Sequence, residues 1–246
     1  APAAATNAAA FVAAAGALVG AHADLDAILA AATRAASGDQ EDLPRLPPLG
    51  QRIAIAADQA FCFCYPHQLD DWRAAGAELS FFSPLADESP AELADAVFLP
   101  GGYPELHAGM LSSAERFVRG MKAAADRGTR IYGECGGYMV LGDALTDGDG
   151  ATHAMLGLLP LATSFADRRL SLGHRSLVVR EPADLPFASA LAGHEFHYAT
   201  IVHEDTVTAD RLFDAADGFG EPVGPMGLVR GSIMGSFAHV IGTANR

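Results

Sequence analysis

Cys135 is the residue whose setting most strongly suggests chemistry. It stands between Gly133 and the pair Gly136-Gly137, after the short apolar run Arg130-Ile131-Tyr132 and before Tyr138-Met139. A strand turning sharply into a helix there would expose the thiol as a nucleophile, and the small neighbours permit such a turn. The helix N-terminus would favour the thiolate. The N–H of Gly136 would point where an oxyanion forms on an attacked carbonyl. The competing reading is a buried cysteine beside a tight turn. A thiol nucleophile also needs a base. His239, in Gly235-Ser236-Phe237-Ala238-His239, lies far down the chain, as suits a base that meets its cysteine in space. A single late histidine is also a common structural residue, and Ile241 stands where many such enzymes place a carboxylate.

Three other stretches carry polar or small residues in suggestive patterns. Leu99-Pro100-Gly101-Gly102-Tyr103-Pro104-Glu105 follows an apolar run, and its two glycines let backbone N–H groups approach a ligand closely. The alternative is an ordinary Gly-Pro turn. Gly193-His194-Glu195-Phe196-His197-Tyr198 has the wrong spacing for a zinc-binding H-E-x-x-H. On a strand its two histidines would point to opposite faces, so no metal site is expected and a pocket lining fits better. Cys62 and Cys64 form a C-x-C among aromatics without nearby partners, which reads as core or pocket wall. No phosphate-binding G-x-x-x-x-G-K-[ST] occurs, so no ATP site is expected in this chain.

The elements that must position these residues alternate. Short apolar strands are expected at 52–56, 79–82, 96–99 and 130–133, with helices over 66–75 and 112–127, the latter turning Phe117, Val118 and Met121 inward. That alternation predicts an α/β fold of three layers with a mainly parallel sheet. The second half reads as more strand-rich, with candidates at 170–180, 195–203 and 226–234 forming antiparallel additions. Residues 1–36 are Ala-rich and read as one or two helices, with Asp24 capping the second. Residues 37–50 hold three Pro, two Gly and three acids, a linker signal.

Composition excludes several classes. The 246 residues carry 30 Asp+Glu against 16 Lys+Arg, a net charge of −14, and Lys122 is the only lysine. Such a chain repels a phosphate backbone, so no nucleic-acid partner is expected, and no basic cluster suggests a membrane surface. Three cysteines in a chain of this size read as reduced thiols in the cytoplasm. The Ala-rich start lacks the basic region of a signal peptide, and the chain does not begin with Met, so it is expected to be part of something longer.

Taken together, F-L-P-G-G-Y-P-E-L-H-A (98–108), Y-G-E-C-G-G-Y-M-V-L-G (132–142), G-H-E-F-H-Y (193–198) and G-S-F-A-H-V (235–240) are specific. In this order they resemble the class I glutamine amidotransferase domains of cobyrinic or hydrogenobyrinic acid a,c-diamide synthases, over about 51–242. The glutaminase domains of cobyric acid synthases are similar but less close. The resemblance implies a flavodoxin-like domain at 51–242. Cys135 would attack the side-chain amide of glutamine, with His239 as base. Gly101, Gly102, Gly136, Tyr138, Glu195 and His197 would form the oxyanion hole and substrate pocket. A preceding synthetase domain, of which 1–36 would be a remnant, would hold ATP and magnesium and bind the corrinoid that receives the ammonia. With Ile241 apolar, any carboxylate orienting His239 would come from Glu195 or from that other domain. The rival readings are a cysteine hydrolase or peptidase on a similar fold, and a non-catalytic binding domain.

Overall fold

The computed structural model describes residues 8–32, 45–187 and 190–244. The chain divides into two compact units, 1–43 and 44–246. The first contains α1 (Ala8–His22) and α2 (Leu25–Ala31), and the Asp24 side chain accepts the Ala27 N–H at 2.9 Å to cap α2. Among the described residues no single helix is long and apolar enough to cross a membrane. The pair α1 and α2, bent by 78°, satisfies length and composition together. Most of the expected linker lies outside the described residues. Its last part does not behave as a linker, because Leu46 and Leu49 are buried in the second unit beside Trp72.

The second unit is built on a ten-stranded sheet. Its parallel half runs, in spatial order, β13 (Ile233–Ser236), β4 (Arg130–Glu134), β3 (Ala96–Leu99), β1 (Arg52–Ala56) and β2 (Glu78–Phe82). Side chains alternate between faces along each strand. Ala54, Val97, Leu99 and Ile131 face one apolar core; Ile53, Ile55, Phe98 and Tyr132 face another. Strands buried on both faces need cover on both. α4 (Ala108–Ser113), α5 (Glu115–Asp126) and α6 (Gly136–Leu141) pack on the first, and α3 (Pro66–Ala74) brings Trp72 to the second. The expected three layers follow. The single helix expected over 112–127 is two, broken at Ala114, and α5 buries Phe117 and Met121.

The antiparallel half is as large as the parallel one. It continues from β13 through β12 (Pro222–Arg230), β11 (Asp210–Asp217), β8 (Ser171–Val179) and β9 (Ala190–His197) to β14 (Ala238–Thr243). The strand expected at 226–234 is two, because Gly231 turns at φ 61° between β12 and β13. The strand expected at 195–203 also divides. β9 ends at His197, and β10 (Thr200–Glu204) joins β7 (Leu161–Ser164), β5 (Ala144–Thr146) and β6 (Thr152–Ala154) in a separate four-stranded sheet. The break carries no Gly or Pro, only Tyr198 and a buried Ala199, so local sequence does not mark it.

Phe237 alone separates β13 from β14, yet four strands lie between them in the sheet. In a flat sheet with strands ~4.8 Å apart they would stand about 24 Å from each other. A two-residue step spans only about 7 Å. The antiparallel half must therefore curl, and the curl brings β14 and β9 back to the end of β4, where Val240 N–H reaches the Glu134 side chain.

Phe98 anchors the second core, stacked on Tyr132 at 5.9 Å and edge-on to Trp72 at 5.7 Å. Phe98→Ala should cost about 3–5 kcal/mol. Urea unfolding followed by Trp72, the only tryptophan, measures this; a cost below about 1 kcal/mol would mean these rings do not form a tight core.

Candidate active site

Cys135 follows the last residue of β4 and N-caps α6. Its backbone holds φ 48°, ψ −105°, a conformation costly for a residue with a side chain, so the surrounding structure enforces the turn. The thiol is buried, with Sγ 3.9 Å from the Phe196 carbonyl oxygen. His239 arrives from β14. A Cβ added to Gly101 would lie 3.1 Å from His239 Nε2 and 3.3 Å from Cys135 Cβ, so glycine there keeps open the space the two residues share. At Gly136 an added Cβ would come within 3.0 Å of Gly102 N and 2.8 Å of Pro104, so the turn at Cys135 and the Pro-Gly-Gly loop meet backbone to backbone.

Burial overrides the helix terminus in setting the thiol's state. The Cys135 pKa is pushed up to about 12, by burial first; the Gly136 N–H lowers it, and the charges of Glu105, Glu134 and Glu195 raise it further. The expected resting thiolate is therefore not what this site holds. His239 is pushed down to about 4 by burial and by the neighbouring His194 and His197. The resting pair is a neutral thiol beside a neutral imidazole able to accept its proton.

Beside the pair opens a cavity of about 160 Å³, lined by Cys135, Gly102, Glu105, His197, Phe63 and Phe165 among others. Its walls are mainly apolar, with Glu105 contributing a carboxyl whose pKa burial raises against its own backbone N–H and Arg168. The histidines of β9 do point opposite ways. His197 lines this cavity, while His194 stacks on the far side against His239 at 4.9 Å, 2.5 Å from the Tyr65 hydroxyl. Among the described residues no group of three His, Cys, Asp or Glu could hold a metal.

Two proposed pocket residues sit elsewhere. Tyr138 is fully buried in the core, its hydroxyl donating to Glu204 at 2.7 Å and its ring edge-on to Phe237; on a helix three residues past the nucleophile it turns away from the cavity. Glu195 does not orient His239. One oxygen meets His197 Nε2 at 2.8 Å and the other meets Arg175 at 2.7 Å. Burial pushes its pKa up, but His197 and Arg175 outweigh this and hold it below the ordinary carboxylate value. His197 Nδ1 also lies 3.0 Å from the Ala199 carbonyl oxygen, so both ring nitrogens face oxygen atoms. Cys62 is exposed and belongs to neither core nor cavity, while Cys64 is partly buried against the second core.

The sequence reading missed Glu134. It is fully buried and adjoins the nucleophile in the chain. Its Oε2 lies 3.8 Å from His239 Nδ1, and among the described residues neither atom has a hydrogen-bond partner. Phe63 and Tyr65 were also missed as site residues; the pairing of Phe63 N–H with the Gly101 carbonyl at 2.9 Å ties their segment to the Pro-Gly-Gly loop.

The profile of the CobB/CobQ-like glutamine amidotransferase domain matches residues 52–246. The chain belongs to that family. Its residues 52–246 are thus an amidotransferase domain, and the convergence of Cys135 and His239 lies within it. The chain is 58% identical over 239 residues to hydrogenobyrinate a,c-diamide synthase of a Sinorhizobium species, covering 95% of this chain and 53% of that protein. It is 55% identical over 221 residues to the protein of the same name from Brucella anthropi, covering 89% and 50%. The chain therefore spans about half the length of the curated relatives it matches. A glutamine amidotransferase from Thermotoga maritima aligns with a TM-score of 0.51 at 17% identity, over 76% of this chain and 75% of that one, a likeness of fold.

Burial raises the Glu134 pKa to about 8, against lowering by the Val240 N–H and the Tyr132 hydroxyl. A carboxyl with a raised folded pKa binds its proton more tightly folded than unfolded. Stability is then highest below the unfolded value near 4.5 and falls as pH rises to about 8, by about 1.4 kcal/mol per unit at most. Glu134→Gln should unfold later than wild type at pH 8 and lose that advantage near pH 4.5. Thermal unfolding across this range checks it; an equal Tm at pH 8 would show that the ionised carboxylate is not penalised.

Proposed function

We propose that this domain hydrolyses the side-chain amide of glutamine and supplies ammonia to a corrinoid amidation performed by the whole protein. The observation that carries the reading is the convergence of Cys135 and His239 beside a small cavity with one lining carboxyl, Glu105. The relatives named for a,c-diamide synthesis support the acceptor.

The chemistry uses residues already in place. Sγ–H gives its proton to His239 Nε2 as sulfur attacks the amide carbon. The carbonyl oxygen becomes an oxyanion, held by the N–H groups of Gly102 and Gly136. His239 returns the proton to nitrogen, the C–N bond breaks, and ammonia leaves a glutamyl thioester on Cys135. Water then cleaves the thioester to glutamate and restores the thiol. Glu105 would hold the α-ammonium group of the substrate. Because the pair and the reacting amide group begin neutral, charge develops at the reacting atoms only as the bonds change.

The acceptor half belongs to the remaining length seen in the relatives. A synthetase domain there would bind ATP and magnesium, activate the a- and c-acetate carboxylates of cobyrinic or hydrogenobyrinic acid, and receive the ammonia. The setting would be the cytoplasm, where ATP is available and thiols stay reduced.

Two variants of the full-length protein test the reading. Cys135→Ser should abolish glutamine hydrolysis, and His239→Asn should lower kcat by about 10²–10⁴-fold, the usual contribution of a general base. Steady-state release of glutamate measures both. Turnover within tenfold of wild type in either variant would remove that residue from the mechanism.

A further inference from the structure

The base lacks the orienting group that a sequence offset would supply. Ile241 is apolar, and Glu195 is engaged by Arg175 and His197. An imidazole with a free Nδ1 can carry its proton on either nitrogen, and only the Nδ1–H tautomer leaves Nε2 open to take the thiol's proton.

The geometry supplies a candidate. The His239 ring presents Nε2 toward the Gly101–Cys135 side and Nδ1 toward the interior. There Nδ1 and Glu134 Oε2 face each other at 3.8 Å, both buried and, among the described residues, neither within hydrogen-bond geometry of another group, with the Tyr132 hydroxyl beside the carboxyl. Such orphaned polar atoms are costly separately and cancel if paired. The carboxyl is also held in place. Its other oxygen accepts the Val240 N–H at 3.0 Å, from the residue after the base, so β14 carries both the imidazole and the donor that aims its partner. A separation of 3.8 Å is long for a hydrogen bond, as is common before substrate binds, and a small rotation about the Glu134 side chain closes it.

We propose that Glu134 is the positioning residue of the base, its carboxylate accepting the Nδ1–H of His239 and standing as countercharge when Nε2 takes the thiol's proton. The proposal rests on His239 being the base. No proton moves to Glu134 in the step. The Sγ–H proton goes to Nε2 and then to the departing ammonia, while the Nδ1–H stays on the ring. The other groups around the pair are Tyr132 on β4, whose hydroxyl lies beside the carboxyl, Tyr65 and Cys64 from the aromatic segment, His194 and His197 on β9, and the Cys135 thiol. Burial raises the Glu134 pKa to about 8, so the carboxyl is mostly protonated at neutral pH. When protonated it would donate to Nδ1 and turn Nε2 into a donor, so ionisation of Glu134 switches the base on.

The test is the rate at which the full-length protein is inactivated by 6-diazo-5-oxo-norleucine, a glutamine analogue, with the adduct mapped to Cys135 by mass spectrometry. It compares wild type, Glu134→Gln, Glu134→Asp and His239→Asn between pH 6.5 and 9. Glu134→Gln keeps the shape and the acceptor for Val240 but favours the wrong tautomer; the rate should fall about 10²–10⁴-fold with a flat pH profile. Glu134→Asp keeps the charge; it should react faster than Glu134→Gln and retain the rise with pH seen in wild type. A packing role would reverse the order, leaving Glu134→Gln near wild type and Glu134→Asp impaired, and would overturn the proposal. If Glu134→Gln fails to fold, Glu134→Asp decides alone: a lost pH rise overturns it. If His239→Asn reacts as fast as wild type, the base assignment itself fails. If His239→Asn is inert and Glu134→Gln matches wild type, only the role of Glu134 falls.

Discussion

The one-residue link at Phe237 constrains this structure more than any other feature. It forces β13, beside β4, and β14, the far edge of the sheet, to share one end of the second unit. A long connection would let the antiparallel half lie flat and leave His239 remote from Cys135. The short one makes the sheet curl. The Val240 N–H bonded to Glu134 Oε1 is the point at which the curl is fastened. The lining of the cavity by β9 and the stacking of His194 on His239 follow from the same closure.

Burial then sets the chemistry. A thiol driven up to about 12 and an imidazole driven down to about 4 share no ionised resting form. That arrangement avoids a buried ion pair in the idle domain, where desolvation would exceed the Coulombic gain. It also makes activation depend on what enters. On the proposed mechanism, substrate and the Gly102 and Gly136 N–H groups would supply the compensation that water would give elsewhere. The strained backbone at Cys135 belongs to the same economy of space, since the φ 48° turn sets Cys135 Cβ close to Gly101.

Much of the site was legible because its constraints are local. Gly-flanked Cys135 and the Pro-Gly-Gly loop declare tight turns and close backbone approach, and such needs leave small residues in the sequence. Glu134 was as visible as Cys135, next to it in the chain, yet unassigned. An orienting carboxylate is recognised from sequence by a fixed offset from the histidine, whereas the carboxylate proposed for that role stands on the strand that leads into Cys135. Glu195 and Tyr138 lie outside the cavity lining for the complementary reason. Both lie inside motif-like stretches, but strand alternation and helix phase, together with Arg175 and Glu204 brought from elsewhere, decide which way they point.

The sequence by itself determined the alternation of apolar strands and helices, the turn at Cys135 and the family to which the domain belongs. Each rests on neighbours within a few residues, where backbone sterics and hydrophobic period act directly. Tertiary structure decided that the antiparallel strands are as many as the parallel ones, that 195–203 divides between two sheets, and that His239 meets Cys135 with Glu134 behind it. Those outcomes depend on strand order and curl, which are properties of long-range pairing. Pairing is chosen by the total apolar surface the closed sheet buries, and no short stretch of sequence carries that sum.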